Sequence, residues 1–299
     1  MSELTASINL PGAPEIDKVL QDWRSWCNHQ PTLERPLHGG LTNKTYLVES
    51  LGQRYVVRIN AANSRALDLR RDIESRALMF AADAGIGAEL VYFDPYECYL
   101  VTRYLDAKPW TVTESQAPEG IQLLASLLKT IHRLESVDYL LDINVKANNY
   151  WKTIPADSEM ANAIEPLKVS IQHHIDLARK KNKQPVLCHN DLMAGNLMQS
   201  KEQALYALDW EYAAMGDPYF DLAVVVQGHN LNESESLQLL EYYLDANPDK
   251  QALSRLYSNR VIYCYLSVLW YAVKYHSADD KVTLENCQQE LDALRQLLA

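Results

Sequence analysis

The stretch Leu187-Cys188-His189-Asn190-Asp191-Leu192-Met193-Ala194-Gly195-Asn196-Leu197-Met198 constrains this chain more than any other. It sets an Asp five residues ahead of an Asn, behind a His, inside a short apolar frame. Short β-rich runs at 186–188 and 205–209 bracket it, and the second ends on Asp209, 18 residues after Asp191. A fold that uses this pattern has to turn three oxygen-bearing side chains toward one point. Asn196 and Asp209 have the chemistry of ligands for a hard cation such as Mg²⁺, while one carboxylate, that of Asp191, stays free of the metal to meet a hydroxyl. That division of labour is the one phosphoryl transfer requires. The His-x-Asp…Asn string alone also arises by chance; strands on both sides and Asp209 at this distance favour chemistry. His189 is the second catalytic candidate, with a hydrogen-bond hub beneath the loop as its other reading.

The remaining pattern is α+β. Residues 14–28 have the spacing of an amphipathic helix. A Gly turn at Gly39-Gly40 runs into a strand through Leu47-Val48, and a second β-rich run covers 54–60. Leu69, Ile73, Ala77, Phe80 and Ala84 recur at helical spacing over 64–84, and Gly85 stops that helix. Two more strands follow at roughly 89–93 and 98–104, separated by Asp94-Pro95. Beyond them the chain is mainly helical: 119–136, a polar stretch over 150–180, and several helices from 221 onward, with 255–275 rich in Tyr, Leu and Trp and expected to be buried. The expected division is a nucleotide-binding lobe over 1–103 and a catalytic and substrate-binding lobe over 104–299.

Other residues join the candidate site by position. Arg58 in an alternating strand and Glu74 on the following helix can pair and steady phosphates, against the plainer reading of a surface Arg and a solvated Glu. Asp68 and Asp72 compete with Glu74 for that place. Gly39-Gly40-x-Thr42-Asn43 can bring backbone N–H groups to phosphates, although it also reads as an ordinary hairpin turn. After Asp209, Glu211 and Tyr212 are expected to face a substrate, and Asp221 to cap its helix or tie down the loop. Trp270 and its Tyr neighbours can form a cation–π wall or simply fill a helical core. His132 is expected to be a satisfied, semi-buried histidine.

Bulk properties narrow the partners. A formal net charge of −11 argues against nucleic acid, whose phosphates call for a basic face. Five scattered cysteines without a CxxC pair point to reduced thiols in a cytoplasmic protein. The first residues lack a secretory pattern, and no apolar run approaches the length of a membrane span. Oligomeric state is left open.

His189–Met198, Ala207–Ala223, Gly39–Val48 and Tyr55–Asn60 together resemble the choline/ethanolamine kinase branch of the aminoglycoside-phosphotransferase-like kinases, over roughly residues 37–275. The resemblance implies a protein-kinase-like two-lobe fold, with a small β-rich first lobe and a larger helical second one. It implies ATP held at the 102–106 hinge, which brings in Thr102 and Tyr104, together with Mg²⁺ and transfer of the γ-phosphoryl group to a small amino alcohol. By matching position it makes Asp191 the catalytic Asp, Asn196 and Asp209 metal ligands, Arg58 and Glu74 the strand–helix pair, and Glu211, Tyr212 and Trp270 the amine pocket. Members of that branch often carry two tryptophans three apart; here Ser267 stands in place of the first and Trp270 matches the second. Choline, ethanolamine, thiamine and an aminoglycoside all stay open as substrates, as does an ATP-binding protein of this fold without turnover.

Overall fold

The computed structural model describes residues 15–37, 43–61, 69–278 and 281–299. They fall into two compact units, one drawn from Met1–Arg65 with Ala88–Leu105, the other from Ala66–Gly87 with Asp106–Ala299. The helix carrying Glu74 groups with the later residues. Thr42, Gly39, Gly40 and Asp68 lie outside the described residues.

The first unit opens with α1 (Ile16–Gln21) and continues through β1 (Thr32–Leu37), β2 (Lys44–Ser50), β3 (Gln53–Ile59), β4 (Leu90–Phe93) and β5 (Tyr99–Arg103). The strands form one antiparallel sheet in the order β1-β2-β3-β5-β4. Leu51 and Gly52, both at positive φ (49° and 78°), make the tight β2–β3 turn, a geometry whose twist matches that of the strands. Period-2 alternation sends Tyr55, Val57 and Ile59 into a core with Val19, Trp26, Val48 and Val101. Arg58 consequently points to the opposite face. The register Arg58↔Leu100 and Val56↔Thr102 puts Thr102 on that face too.

β1 is a strand the sequence reading did not anticipate. Its charged residues and Pro36 argue against a strand, but β1 is an edge, largely exposed, where a proline and charges are tolerated. The opening helix is also shorter than expected, passing after Gln21 into a 3-10 turn at Trp23–Ser25.

The second unit begins with α2 (Arg71–Asp83), then β6 (Lys108–Pro109), α3 (Val112–Gln116) and α4 (Pro118–Ile131). The expected helix over 150–180 is in fact several pieces: α5 (Ile143–Trp151), α6 (Glu159–Ile164) and α7 (Lys168–Lys181). Pro155 and Pro166 fall between the pieces, where the missing N–H and fixed φ break helical continuity. β7 (Val186–Cys188), β8 (Leu197–Gln199), β9 (Leu205–Ala207) and β10 (Ala214–Gly216) follow, with β7 paired to β10 and β8 to both β6 and β9. α8 (Pro218–Gly228), α9 (Glu233–Leu244), α10 (Lys250–Ala278) and α11 (Lys281–Leu298) complete the unit. α10 is its spine, with Val261, Ile262, Cys264, Val268 and Leu269 all buried, as expected of the 255–275 stretch. Among the described residues no helix is long and apolar enough to cross a membrane.

Candidate active site

β7 delivers the chain to His189, and the loop then turns on Asn190, held at φ 64°. Asn is among the few residues that adopt this left-handed conformation readily, because its short polar side chain can bond locally. Here its Nδ2 donates to the Tyr212 carbonyl at 2.9 Å, tying the loop to the turn after Asp209. Asp221, fully buried on α8, accepts the backbone N–H of His189 at 2.8 Å and of Asn190 at 2.6 Å. It thus ties down the loop, one of the two roles expected of it. Its Oδ2 also meets His132 Nε2 at 3.1 Å, and His132 Nδ1 meets the Tyr243 hydroxyl at 2.9 Å, so His132 is satisfied as anticipated. His132, Cys188 and Asp221 offer donor atoms within 4.8 Å of one another, but the Asp221 oxygens are already taken by backbone N–H groups. The cluster is a support beneath the loop.

His189 is completely buried, and burial lowers its pKa. Its Nε2 donates to the Leu208 carbonyl at 2.9 Å, and its Nδ1 accepts the Asp191 N–H at 3.3 Å. Both ring nitrogens are committed to backbone, and the ring leans on Trp210 with centroids 4.6 Å apart. The geometry is that of the hub.

Asp191 follows, half-buried. Asn196, closing a 3-10 turn at Ala194–Asn196, donates its Nδ2 to the Asp191 carboxylate and to the Asp191 carbonyl, both at 2.8 Å. The amide nitrogen is thereby used toward Asp191, and its Oδ1 is the atom left for a cation. Asp209 lies two residues beyond the end of β9, also left-handed at φ 59°, and leads into the 3-10 turn Trp210–Tyr212. Burial, then the charges of Asp209 and Glu211, hold the Asp191 carboxyl well above the usual carboxylate range, with the Asn196 bond opposing them. A site where the charges of two neighbouring carboxylates bear on Asp191, and where an amide oxygen is turned away from it, fits a hard divalent cation.

Glu211 is buried, and its Oε2 accepts from Arg71 Nη1 at 3.0 Å. The same Arg71 nitrogen bonds Glu74 at 2.8 Å, so within this unit one buried guanidinium joins α2 to the turn after Asp209. Arg71 was missed because its partner in the turn is 140 residues away in sequence. In the other unit Arg58 is buried on β3 and donates to Asn60 Oδ1 at 3.1 Å. Asn43 Oδ1 accepts the Ala61 N–H at 3.2 Å, and Thr102 is buried on β5. Tyr104 follows that strand and stacks under Arg54, whose guanidinium carbon is 4.3 Å from the ring centroid.

The hydroxyl of Tyr212 accepts from Trp270 Nε1 at 2.8 Å, so these two expected pocket residues do meet. Lys146 was not anticipated: buried on α5, its Nζ lies 5.1 Å from the Tyr212 ring and 5.3 Å from the Tyr150 ring. His229 was missed as well. Its Nε2 donates to the Leu192 carbonyl at 3.0 Å and its Nδ1 meets Ser115 Oγ, fixing the loop from the α3 side. A lone histidine after an apolar helix carries no sequence signal for that task.

A loop that presents a carboxylate and an amide, backed by a second carboxylate after a hairpin, defines a phosphotransferase with a kinase-like fold. The chain belongs to the phosphotransferase enzyme family, whose model matches residues 34–256. It is 26% identical over 224 residues to the protein LicA of Haemophilus influenzae, a match covering 72% of this chain and 64% of that one. The chain thus spans just under two thirds of the length of that relative. The fold is shared with a choline/ethanolamine kinase family protein from Mesorhizobium loti, with a TM-score of 0.76 and 19% identity over 95% of this chain and 94% of that one. It is shared equally with the choline kinase LicA from Streptococcus pneumoniae, with a TM-score of 0.74 and 21% identity over 94% of this chain and 98% of that one.

Proposed function

We propose that this protein transfers the γ-phosphoryl group of ATP to the hydroxyl of a small amino alcohol, with choline and ethanolamine as the leading substrates. The observation that carries the reading is the Asp191–Asn196 pair, bonded at 2.8 Å in the same loop and backed by Asp209. Asp191 receives the substrate hydroxyl and is the proposed proton acceptor. Asn196 Oδ1 and Asp209 would hold Mg²⁺, which supplies charge neutralisation at the phosphates when bound. Arg58, Asn43, Thr42, Thr102 and Tyr104 are the proposed nucleotide contacts, and Glu74 on α2 is a further proposed nucleotide-side residue. Glu211, Tyr212 and Trp270 are the proposed amine side, with His189 positioning the loop rather than carrying a proton. Catalysis is then mainly positioning and electrostatics.

The acidic, aromatic surroundings of Asp191 and the amino-alcohol kinases among the similar proteins support this substrate class over the others. ADP release from purified protein with Mg·ATP and choline, ethanolamine, thiamine or kanamycin tests it. Turnover of choline or ethanolamine, with the phosphorylated product seen by mass spectrometry, is expected. Turnover of thiamine or kanamycin alone would move the assignment. Nucleotide binding without any product would make the chain a binding protein.

A further inference from the structure

Lys146 has no part in the reaction described so far, yet it lies against the proposed amine side. It is 8% exposed, and its ammonium rests over two rings, 5.3 Å from the Tyr150 centroid and 5.1 Å from that of Tyr212. Tyr212 is in turn bonded to Trp270, over whose ring Lys274 Nζ lies at 5.6 Å. The rings of Tyr150, Tyr212 and Trp270 are therefore already engaged by the chain's own ammonium groups.

This matters differently to two kinds of amino alcohol. A quaternary ammonium has no N–H, so aromatic faces are its main specific partners. Faces held by an internal cation are lost to it, whereas repulsion from the resident charge falls on either kind of ammonium. A primary ammonium carries three donors and can be held by oxygen acceptors instead. The half-buried Asp191 carboxylate is such an acceptor, and the half-buried Ser267 hydroxyl stands one turn before Trp270 on α10, whereas the Glu211 carboxylate is taken by Arg71.

We propose that Lys146 is a specificity residue: its ammonium fills the cation seat of Tyr150 and Tyr212, and so directs the site toward primary amino alcohols and away from quaternary ones. The inference rests on the reading that the substrate is an amino alcohol.

Turnover of ethanolamine and choline by wild type, Lys146→Met and Lys146→Arg tests it, beside fluorescence titration of each with tetramethylammonium. Wild type is expected to favour ethanolamine by about tenfold or more in kcat/KM, about 1.4 kcal/mol. Lys146→Met should narrow that ratio to about threefold, through a lower KM for choline with kcat little moved, and bind tetramethylammonium about tenfold more tightly. Lys146→Arg, which keeps the charge, should keep the wild-type ratio. A wild type that prefers choline, or a Lys146→Met protein with an unchanged ratio and unchanged tetramethylammonium binding, would overturn the proposal. Should Lys146→Met fail to fold, the wild type decides: the uncharged choline isostere 3,3-dimethylbutan-1-ol should bind at least as tightly as choline, and tighter choline binding refutes the filled seat. Absence of turnover with every alcohol would sink the functional reading alone, because the tetramethylammonium titration still reports on the seat.

Discussion

The loop from His189 to Asn196 and the aromatic cluster of Tyr150, Tyr212 and Trp270 adjoin one another and are held in different ways. Main-chain groups anchor the loop. Asp221 takes two of its N–H groups, His229 one of its carbonyls, and His189 bonds both the Asp191 N–H and the Leu208 carbonyl opposite. The cluster is joined through side chains: an indole N–H to a phenol, and an ammonium over two rings. Leaving a buried main-chain group unbonded costs about 1–3 kcal/mol each, whereas a single neutral side-chain bond contributes about 1 kcal/mol. On the proposed function the chemistry is thus fixed more firmly than the choice of substrate, and a substitution in the cluster is expected to change specificity without disturbing Asp191.

The largest effect that bears on this contrast is Asp191→Ala. It should lower kcat by about 10²–10⁴-fold while a nonhydrolysable ATP analogue binds as before. Near-normal turnover by this variant would remove the loop from the chemistry altogether. Next comes Arg71→Met, which strips the shared guanidinium from buried Glu74 and Glu211 and should cost about 3–5 kcal/mol in urea unfolding. A loss below about 1 kcal/mol would mean that the turn after Asp209 is held by the cluster and not from α2.

His229 gives a pH test of comparable size. Burial lowers its pKa from 6.5 to about 4, so the folded state favours the neutral ring. The unfolded chain binds the proton first as pH falls. The contribution is therefore fully present above pH 6.5 and is lost down to about pH 4, about 3 kcal/mol in all. His229→Gln should flatten the stability-versus-pH curve across that window; an unchanged slope would exclude His229 as its source. The smallest effect is Tyr212→Phe, which removes the acceptor for Trp270 Nε1 and should cost about 1 kcal/mol in stability. An accompanying shift in KM for the alcohol, with kcat retained, would mark the cluster as the specificity side.

Much of the site was legible because its signal is local. Asp191, Asn196 and Asp209 fall within one short span, the strand at 186–188 is where the apolar run put it, and Asp221 follows closely enough to be read as a tie to the loop. Contacts made across long sequence separations carry no such signal. Arg71 reaches Glu211, His229 reaches Ser115 and Leu192, and Lys146 reaches Tyr212; each is an ordinary residue in its own neighbourhood. Glu211 is a further case: nothing near it in sequence signals the Arg71 guanidinium from α2 that its carboxylate meets. In the fold, β1 was hidden by edge residues that resemble a loop, and the 150–180 stretch by helical composition that two prolines divide.

The pairing of β7 with β10 has a consequence for the integrity of the chain. Ala214 faces Cys188 and Gly216 faces Val186, so the segment carrying Asp191, Asn196 and Asp209 is closed at its base like a purse string. Within it the turn at 201–204 between β8 and β9 is exposed, a natural place for a protease to cut. A cut there would put Asp191 and Asn196 on one fragment and Asp209 on the other. Each fragment would keep one strand of the basal pair and one of the β8–β9 pair, so the severed halves would stay clasped around the same three groups.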